Sequence, residues 1–172
     1  MKLTICTSFY NVEKYMESFI SQLKNQTCSD FVCILVDDGS TDKSYENCVR
    51  AIGRDERFSV IRHEKNKGLG AGRITGLEQV QTEYLTFMDP DDEIEKTTVE
   101  TLLNDIHNTN SDFITYDYFT KNEKNEVELI SANTKTVKEL FEAKSKLISH
   151  VWHKVYKKTL LEKIDFSFYK TV

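Results

Sequence analysis

Apolar residues recur along this chain in two alternating rhythms, one of period two and one of period three to four. Leu3–Ser8 is a short strand candidate. Val12, Tyr15, Met16, Phe19, Ile20 and Leu23 then follow the i, i+3, i+4, i+7 spacing of one buried helix face. Phe31–Val36 is a nearly continuous apolar run, the pattern of a strand covered on both faces. Ser40, Thr41 and Asp42 offer N-caps for a helix carrying Tyr45, Cys48, Val49 and Ile52. Phe58–Ile61 is a third strand, after which glycines 68, 70 and 72 open a helix that includes Ile74 and Leu77. Tyr84–Met88 is a fourth strand, and Val99, Leu102, Leu103 and Ile106 mark the next helix. This β-α-β-α-β-α-β order predicts an α/β domain: a mainly parallel sheet with right-handed crossovers and helices on both faces.

The rhythm loosens beyond that point. Phe113–Phe119 and Val127–Ile130 read as two further strands joined by the polar turn Lys121–Glu126. Val137–Phe141 and Leu147–Ile148 suggest a helix, Val151–Tyr156 fits strand or helix, and Thr159–Ile164 reads as a short helix. No repeat, low-complexity tract or Gly/Ser linker divides the 172 residues, so one domain with a real core is expected.

Charge and cysteines narrow the class. A net charge of −5 leaves no basic excess to neutralise phosphates, which argues against nucleic acid as a partner. From Lys144 onward, lysines far outnumber Glu162 and Asp165; such a tail suits a solvated face, an anionic membrane surface or a phosphate-bearing acceptor. Cys6, Cys28, Cys33 and Cys48 show no CxxC spacing, and buried free thiols in a reducing cytosol are expected. The N-terminus reaches Thr7-Ser8 too soon for a signal peptide, and no apolar run approaches the ~20 residues that span a bilayer. The expected location is cytoplasmic, at most peripheral at the inner face of a membrane.

Two acidic clusters carry the candidate chemistry, each at the end of a strand-like run. One is Asp37-Asp38-Gly39-Ser40-Thr41-Asp42; the other is Asp89-Pro90-Asp91-Asp92. Carboxylates at the carboxyl ends of parallel strands sit where open α/β sheets bind ligands. Two ionised groups ~4 Å apart repel by roughly 4 kcal/mol at an effective dielectric of 20, a penalty that a divalent cation or a cationic ligand removes, so the second cluster reads as a metal site. Oxygen ligands suit Mg²⁺ or Mn²⁺. Pro90 biases Asp89 toward extended geometry, so the strand direction continues into the cluster. In the first cluster, one Asp can accept a bond from a base imide while the other supports the loop, and capping alone would account for Ser40, Thr41 and Asp42. Asn66-Lys67-Gly68-Leu69-Gly70-Ala71-Gly72-Arg73 is glycine-rich and basic ahead of a helix, a natural partner for a diphosphate. It fails the GxGxxG register, and a dinucleotide fingerprint belongs after the first strand, where this chain has Phe9-Tyr10-Asn11.

Thr4–Asn11, Val36–Asp42, Asn66–Arg73, Glu83-Tyr84 and Phe87–Asp92 resemble, in order and spacing, the GT-A fold inverting glycosyltransferases of family two. The resemblance covers almost the whole chain. It implies a nucleotide-diphospho-sugar donor, commonly UDP-linked, a divalent cation (Mn²⁺ or Mg²⁺), and a hydroxyl acceptor such as a growing cell-surface polysaccharide or lipid-linked glycan. Residues 1–110 would bind the nucleotide sugar and residues 111–172 would form the acceptor side. Phe9, Asn11 and Glu13 would line the nucleotide pocket and Asp37 or Asp38 would read the base, with Gly68 in the donor loop. Arg73 would contact the nucleotide, Asp89 the ribose and the metal, and Asp91 the metal bridging the diphosphate. Trp152, His153 and Tyr156 would face the acceptor.

Some positions depart from the family pattern. Ser8-Phe9 stands where Pro-Thr is usual, and Ile74 where an Asn usually follows the Arg. The family's Glu-Asp catalytic-base motif does not occur before Val172, so the base is expected beyond it, and Asp165 is a poor substitute. The expectation is a piece of a longer protein or a natural fragment, with donor binding and weak or absent transfer. His150 and His153 at i, i+3 suit packing or acceptor contact better than a metal shell, and His63 and His107 read as ordinary histidines. Two rivals remain. A sugar-phosphate nucleotidylyltransferase wants a Gly-rich basic loop after the first strand, which Ser8-Phe9-Tyr10-Asn11 is not; a non-catalytic nucleotide-sugar-binding module needs no base.

Overall fold

A computed structural model of the chain describes residues 3–121, 126–131 and 151–163. Four strands follow the expected spacing: β1 (Leu3–Phe9), β2 (Phe31–Asp37), β3 (Phe58–Arg62) and β4 (Tyr84–Phe87). They alternate with α1 (Glu13–Lys24), α2 (Ser44–Ile52) and α3 (Leu69–Glu78), and α4 (Thr98–Thr109) follows β4. After these come β5 (Phe113–Thr115), β6 (Tyr118–Lys121), β7 (Val127–Ile130), β8 (Lys154–Lys157) and the single-turn α5 (Lys158–Leu161). The main sheet has the order β3-β2-β1-β4-β8-β5. Its first four strands are parallel, while β8 runs antiparallel to both β4 and β5.

Period-two alternation sends the strands' side chains into two cores. Leu3, Ile5 and Phe9 of β1 meet Met16, Phe19, Ile20 and Leu23 of α1, Cys48 and Ile52 of α2, and Val99, Leu102 and Ile106 of α4. On the opposite face, Cys6, Ile34, Val36, Leu85 and Phe87 pack with Val80 and with Leu161 of α5, and Leu77 of α3 lies against them. Helices thus cover both faces of the sheet. α1 buries four apolar side chains completely, each worth about 1.5–3 kcal/mol of transfer free energy before conformational entropy is charged against it. Tyr15 and Val49, expected on buried helix faces, are exposed instead.

α3 lies unusually close to the sheet. A Cβ at Gly72 would come within 1.9 Å of Ser8 Oγ and 2.9 Å of Ser8 Cβ, so only glycine permits the crossing. One turn on, a Cβ at Gly76 would make ordinary contact with Val36 and Cys6 at 3.6 and 3.7 Å. α3 therefore converges on the sheet at its first turn, the turn that carries Arg73.

The expected strand Phe113–Phe119 is two strands with different partners. β5 pairs with β8 in the main sheet, whereas β6 pairs with β7 in a separate antiparallel ribbon. The division follows from His153, whose φ of 58° turns the chain just before β8. Its carbonyl accepts the Tyr116 N–H at 3.1 Å, and β6 then turns to β7 for its partner. Val151–Tyr156, open between helix and strand from its sequence, contributes β8. The expected helix at Val137–Phe141 and Leu147–Ile148 lies outside the described residues.

All four cysteines are free. Burial, joined at Cys48 by the Asp37 charge, pushes the Cys6 and Cys48 thiols up to about 12, so they behave as small apolar groups. Among the described residues no helix is long and apolar enough to cross a membrane.

Candidate functional site

Register places the polar loops along one edge. Phe9 lies opposite Asp37, Asp37 opposite Arg62, and Cys6 opposite Phe87, so the carboxyl ends of β1–β4 and their following loops meet there. Backbone pairing runs on past the strands: Asp38 N–H donates to Phe9 O at 2.8 Å, His63 N–H to Asp37 O at 2.9 Å, and Met88 N–H to Cys6 O at 3.2 Å.

The first acidic cluster is built into this edge. Asp37 is fully buried; its Oδ1 accepts the Ser40 N–H at 3.0 Å and its Oδ2 lies 3.0 Å from Arg62 Nε. That second contact is an ion pair without hydrogen-bond alignment. The Arg62 guanidinium also lies over the Tyr45 ring at 4.4 Å and donates to Ser40 O at 3.0 Å. Asp38 is 2% exposed, and three donors meet its carboxylate. Oδ1 lies 2.7 Å from His63 Nδ1 and accepts Lys67 N–H at 3.0 Å, while Oδ2 accepts Gly68 N–H at 2.8 Å. Gly39 adopts φ +74°, and a Cβ there would strike the Lys65–Asn66 backbone at 2.7–2.9 Å. Both residues of the Asp pair therefore hold loops. An open cleft of about 350 Å³ lined by Gly39, Ser40, Thr41, Arg62, His63 and Glu64 lies beside them.

The end of β1 and the residues after it brace the same loops. Phe9 is buried in the core at 2% exposure and contributes its carbonyl to Asp38. Asn11 takes φ +53°, a left-handed conformation that Asn tolerates, and its Oδ1 accepts the N–H groups of Thr41 and Asp42 at 2.9 and 3.3 Å. Glu13 Oε2 accepts the Lys43 N–H at 3.1 Å. Ser40, Thr41 and Asp42 were expected as N-caps, but the N-cap position of α2 falls at Lys43. Ser40 Oγ instead accepts the Asn11 N–H, while Asp42 accepts the Ser44 N–H at 2.9 Å. Burial opposes ionisation of Asp42, but bonds from Ser44 and Glu13 outweigh it and hold the carboxyl below its usual value.

α3 joins the two clusters. Gly68, at φ +90°, hangs from Asp38, and Arg73 one turn into the helix donates through Nη2 to both oxygens of Asp89 at 3.0 and 3.2 Å. Asp91 and Asp92 are exposed. Protein packed around the Asp92 carboxyl strips enough water, despite that exposure, to push it up to about 6, and the charges of Asp89 and Asp91 add to the shift. Among the described residues no three His, Cys, Asp or Glu side chains gather into a metal site.

An aromatic group flanks the acidic loop on the β8 side. Tyr118 meets Trp152 at 4.6 Å and His153 at 4.9 Å, and Tyr116 lies 6.3 Å from His153. Burial raises the Tyr116 hydroxyl pKa, and the Asp92 and Asp89 charges raise it further, which ties this group electrostatically to the acidic loop. Trp152 pairs with Phe87 through an isolated bridge, two residues before Asp89. Tyr156 packs away from this group, against Phe87 and Phe113, and its hydroxyl donates to Val151 O at 3.4 Å. Lys154, part of the basic tail read as a solvated face, is 5% exposed.

A sequence model of the family described as Glycosyl transferase family 2 matches residues 4–165. The chain belongs to this family. Glycosyltransferase GlyA of Streptococcus pneumoniae is 34% identical over 96% of this chain and 26% of its own length. Putative glycosyltransferase EpsH of Bacillus subtilis is 31% identical over 96% of this chain and 50% of its own length. Crystal structures of S. aureus TarS 1–349 with UDP and with UDP-GlcNAc superpose with a TM-score of 0.73 at 25% identity. They cover 94% of this chain and just under half of TarS 1–349. The domain has the GT-A fold of those neighbours, and it spans half or less of the length of these relatives.

Within this family 2 domain, the residue that sequence reasoning passed over is His63. It is 7% exposed and bonds both Asp38 and Thr75 Oγ1. Its one available signal was its place two residues beyond the predicted strand Phe58–Ile61, near the level of the end of the Asp-bearing strand. Trp152 and His153 do lie beside the acidic loop, while Tyr156 belongs to the packing beneath it.

Proposed function

We propose that this domain binds a nucleotide-diphospho-sugar, with UDP as the favoured nucleotide, and carries the donor half of a glycosyl transfer with inversion at the anomeric carbon. The observation that carries this reading is the linkage Asp38–Gly68–α3–Arg73–Asp89, which joins the two acidic loops at the carboxyl edge of a family 2 sheet. TarS, with a similar fold, is seen with UDP and UDP-GlcNAc, which supports the nucleotide assignment.

In this reading the nucleotide lies across the carboxyl ends of β1–β4. Phe9 at the end of β1, Asn11 in the loop after it and Glu13 at the start of α1 support its seat from behind, and the base is read on the Asp38 side of the acidic pair. Arg73 faces the nucleotide and Asp89 the ribose, their mutual ion pair setting the position of both. A divalent cation suits the donor set, because Asp89, Asp91 and Asp92 put carboxylate oxygens on one short loop, where burial and then the neighbouring charges both oppose ionisation of Asp92. Asp91, with Asp89, would hold it together with donor phosphates, and it would supply charge neutralisation to the leaving diphosphate. The acceptor hydroxyl approaches from the side of Trp152 and His153, where Tyr116 and Tyr118 complete an aromatic wall suited to the apolar face of a glycan. The acceptor is a growing polysaccharide or lipid-linked glycan.

Calorimetric titration with UDP, with and without Mn²⁺, tests the proposal on the wild type and Asp91→Ala. UDP binding strengthened by Mn²⁺ and lost in the variant, with an unchanged thermal midpoint, is the expected result. UDP affinity indifferent to both Mn²⁺ and the substitution would refute it.

A further inference from the structure

His63 is buried beside the first acidic cluster, and its surroundings give it a specific task. Its backbone N–H donates to Asp37 O at 2.9 Å. Its Nδ1 lies 2.7 Å from Asp38 Oδ1, and its Nε2 lies 3.0 Å from Thr75 Oγ1 on α3. An ionised carboxylate accepts only, so the Nδ1 proton faces Asp38; the Thr75 hydroxyl can donate to Nε2 or accept from it. The backbone of His63 is thus held by β2, and its imidazole by the Asp38 loop and by α3.

Asp38 in turn holds the start of α3. The same Oδ1 accepts the Lys67 N–H, and Oδ2 accepts the Gly68 N–H. Gly68 is the N-cap residue of α3, at φ +90°, and Arg73 projects from the first turns toward Asp89. We propose that His63 is a positioning residue of the donor site: it locks Asp38 in the orientation that anchors Lys67 and Gly68, and so sets where α3 begins and where Arg73 reaches. Because it acts through a single carboxylate, its effect depends on the Nδ1–H and not on imidazole bulk. The proposal rests on the donor reading above and goes further by assigning a residue that reading does not use.

Two substitutions separate the two ring nitrogens. His63→Asn keeps an N–H donor near the Nδ1 position and gives up Thr75. His63→Gln reaches toward Thr75 and gives up the donor facing Asp38. Hydrogen bonds to charged groups correspond to a change of roughly 10- to 150-fold. In full-length protein, Mn²⁺-UDP affinity is measured by calorimetry, and amide hydrogen exchange at Lys67 and Gly68 by NMR. The expected outcome is tenfold or greater loss of UDP affinity in His63→Gln with faster exchange at both amides. His63→Asn is expected to recover affinity to within threefold of wild type, with slow exchange restored.

Equal losses in the two variants, tracking their thermal midpoints, would overturn the proposal and leave His63 a packing residue. Unchanged exchange at Lys67 and Gly68 in His63→Gln would overturn it as well. A wild-type protein that does not bind UDP would instead sink the donor reading. In that case the exchange difference between the two variants still decides whether His63 holds the loop.

Discussion

Replacing Gly72 with alanine tests how closely α3 must approach the sheet. The added Cβ would lie 1.9 Å from Ser8 Oγ and 2.9 Å from Ser8 Cβ. The hydroxyl can swing to another rotamer, but the Ser8 Cβ is fixed to a buried strand, so α3 must lift away by several tenths of an ångström. Such overpacking costs about 1–3 kcal/mol. Alanine regains about 1 kcal/mol of helix propensity over glycine, which leaves a net loss of up to about 2 kcal/mol. At about 2–4 °C per kcal/mol for a chain of this size, the thermal midpoint should fall by up to about 8 °C. Lifting α3 also draws Arg73 from Asp89, so Mn²⁺-UDP affinity should weaken alongside stability. Ser8→Gly removes both clashing atoms, and the double variant should recover most of the loss, with a coupling energy of about 1 kcal/mol or more in a double-mutant cycle. A Gly72→Ala protein more stable than wild type, or a cycle with no coupling, would refute the close-approach argument.

Gly39→Ala should cost roughly 2–4 kcal/mol in urea unfolding, because it combines a left-handed φ of +74° with backbone atoms of Lys65 and Asn66 at 2.7–2.9 Å that cannot rotate aside. A loss below about 0.5 kcal/mol would show that the 65–68 loop does not rest on Gly39. Lys154→Met should become more favourable as pH falls, whatever it costs to lose the contact of Nζ with His153 Nε2 at 3.1 Å. Burial pushes the Lys154 amine down from 10.5 to about 8, so the stability tied to its neutral form is fully present above 10.5 and is lost as pH falls through 8. The stability difference between variant and wild type should therefore shift in the variant's favour by about 1–3 kcal/mol between pH 10.5 and pH 7. A difference that stays unchanged from pH 7 to pH 10.5 would assign the effect to packing instead.

Local periodicity carried the elements that repeat within one turn or one strand. The α1 face of Met16, Phe19, Ile20 and Leu23, the apolar run of β2 and the order of the first four strands were all legible, because each depends on neighbours three or four residues away. So were the two acidic loops, whose position after strands places them at the carboxyl edge of any parallel sheet. The break after Thr115 was not legible: the sequence from Phe113 to Phe119 is uniformly strand-like, and the split is imposed by the turn at His153, far along the chain.

The site shows the same division. Asp37, Asp38, Arg73 and Asp89 stood out as charged residues beside glycine and proline, yet their partners lie elsewhere: Arg62 for Asp37, His63 for Asp38, and Arg73 and Asp89 for each other. Asn11 and Glu13, read as pocket-lining, spend their side chains on the 41–43 backbone across a gap of about thirty residues. Composition and spacing thus determined that this chain is a two-faced α/β sheet with carboxylates at its carboxyl edge, since hydrophobic burial is written locally. Which carboxylate holds a loop and which stays exposed was decided only when β1, β2, β3 and α3 came together. A hydrogen bond's partner depends on which strands are adjacent, and adjacency belongs to the folded sheet.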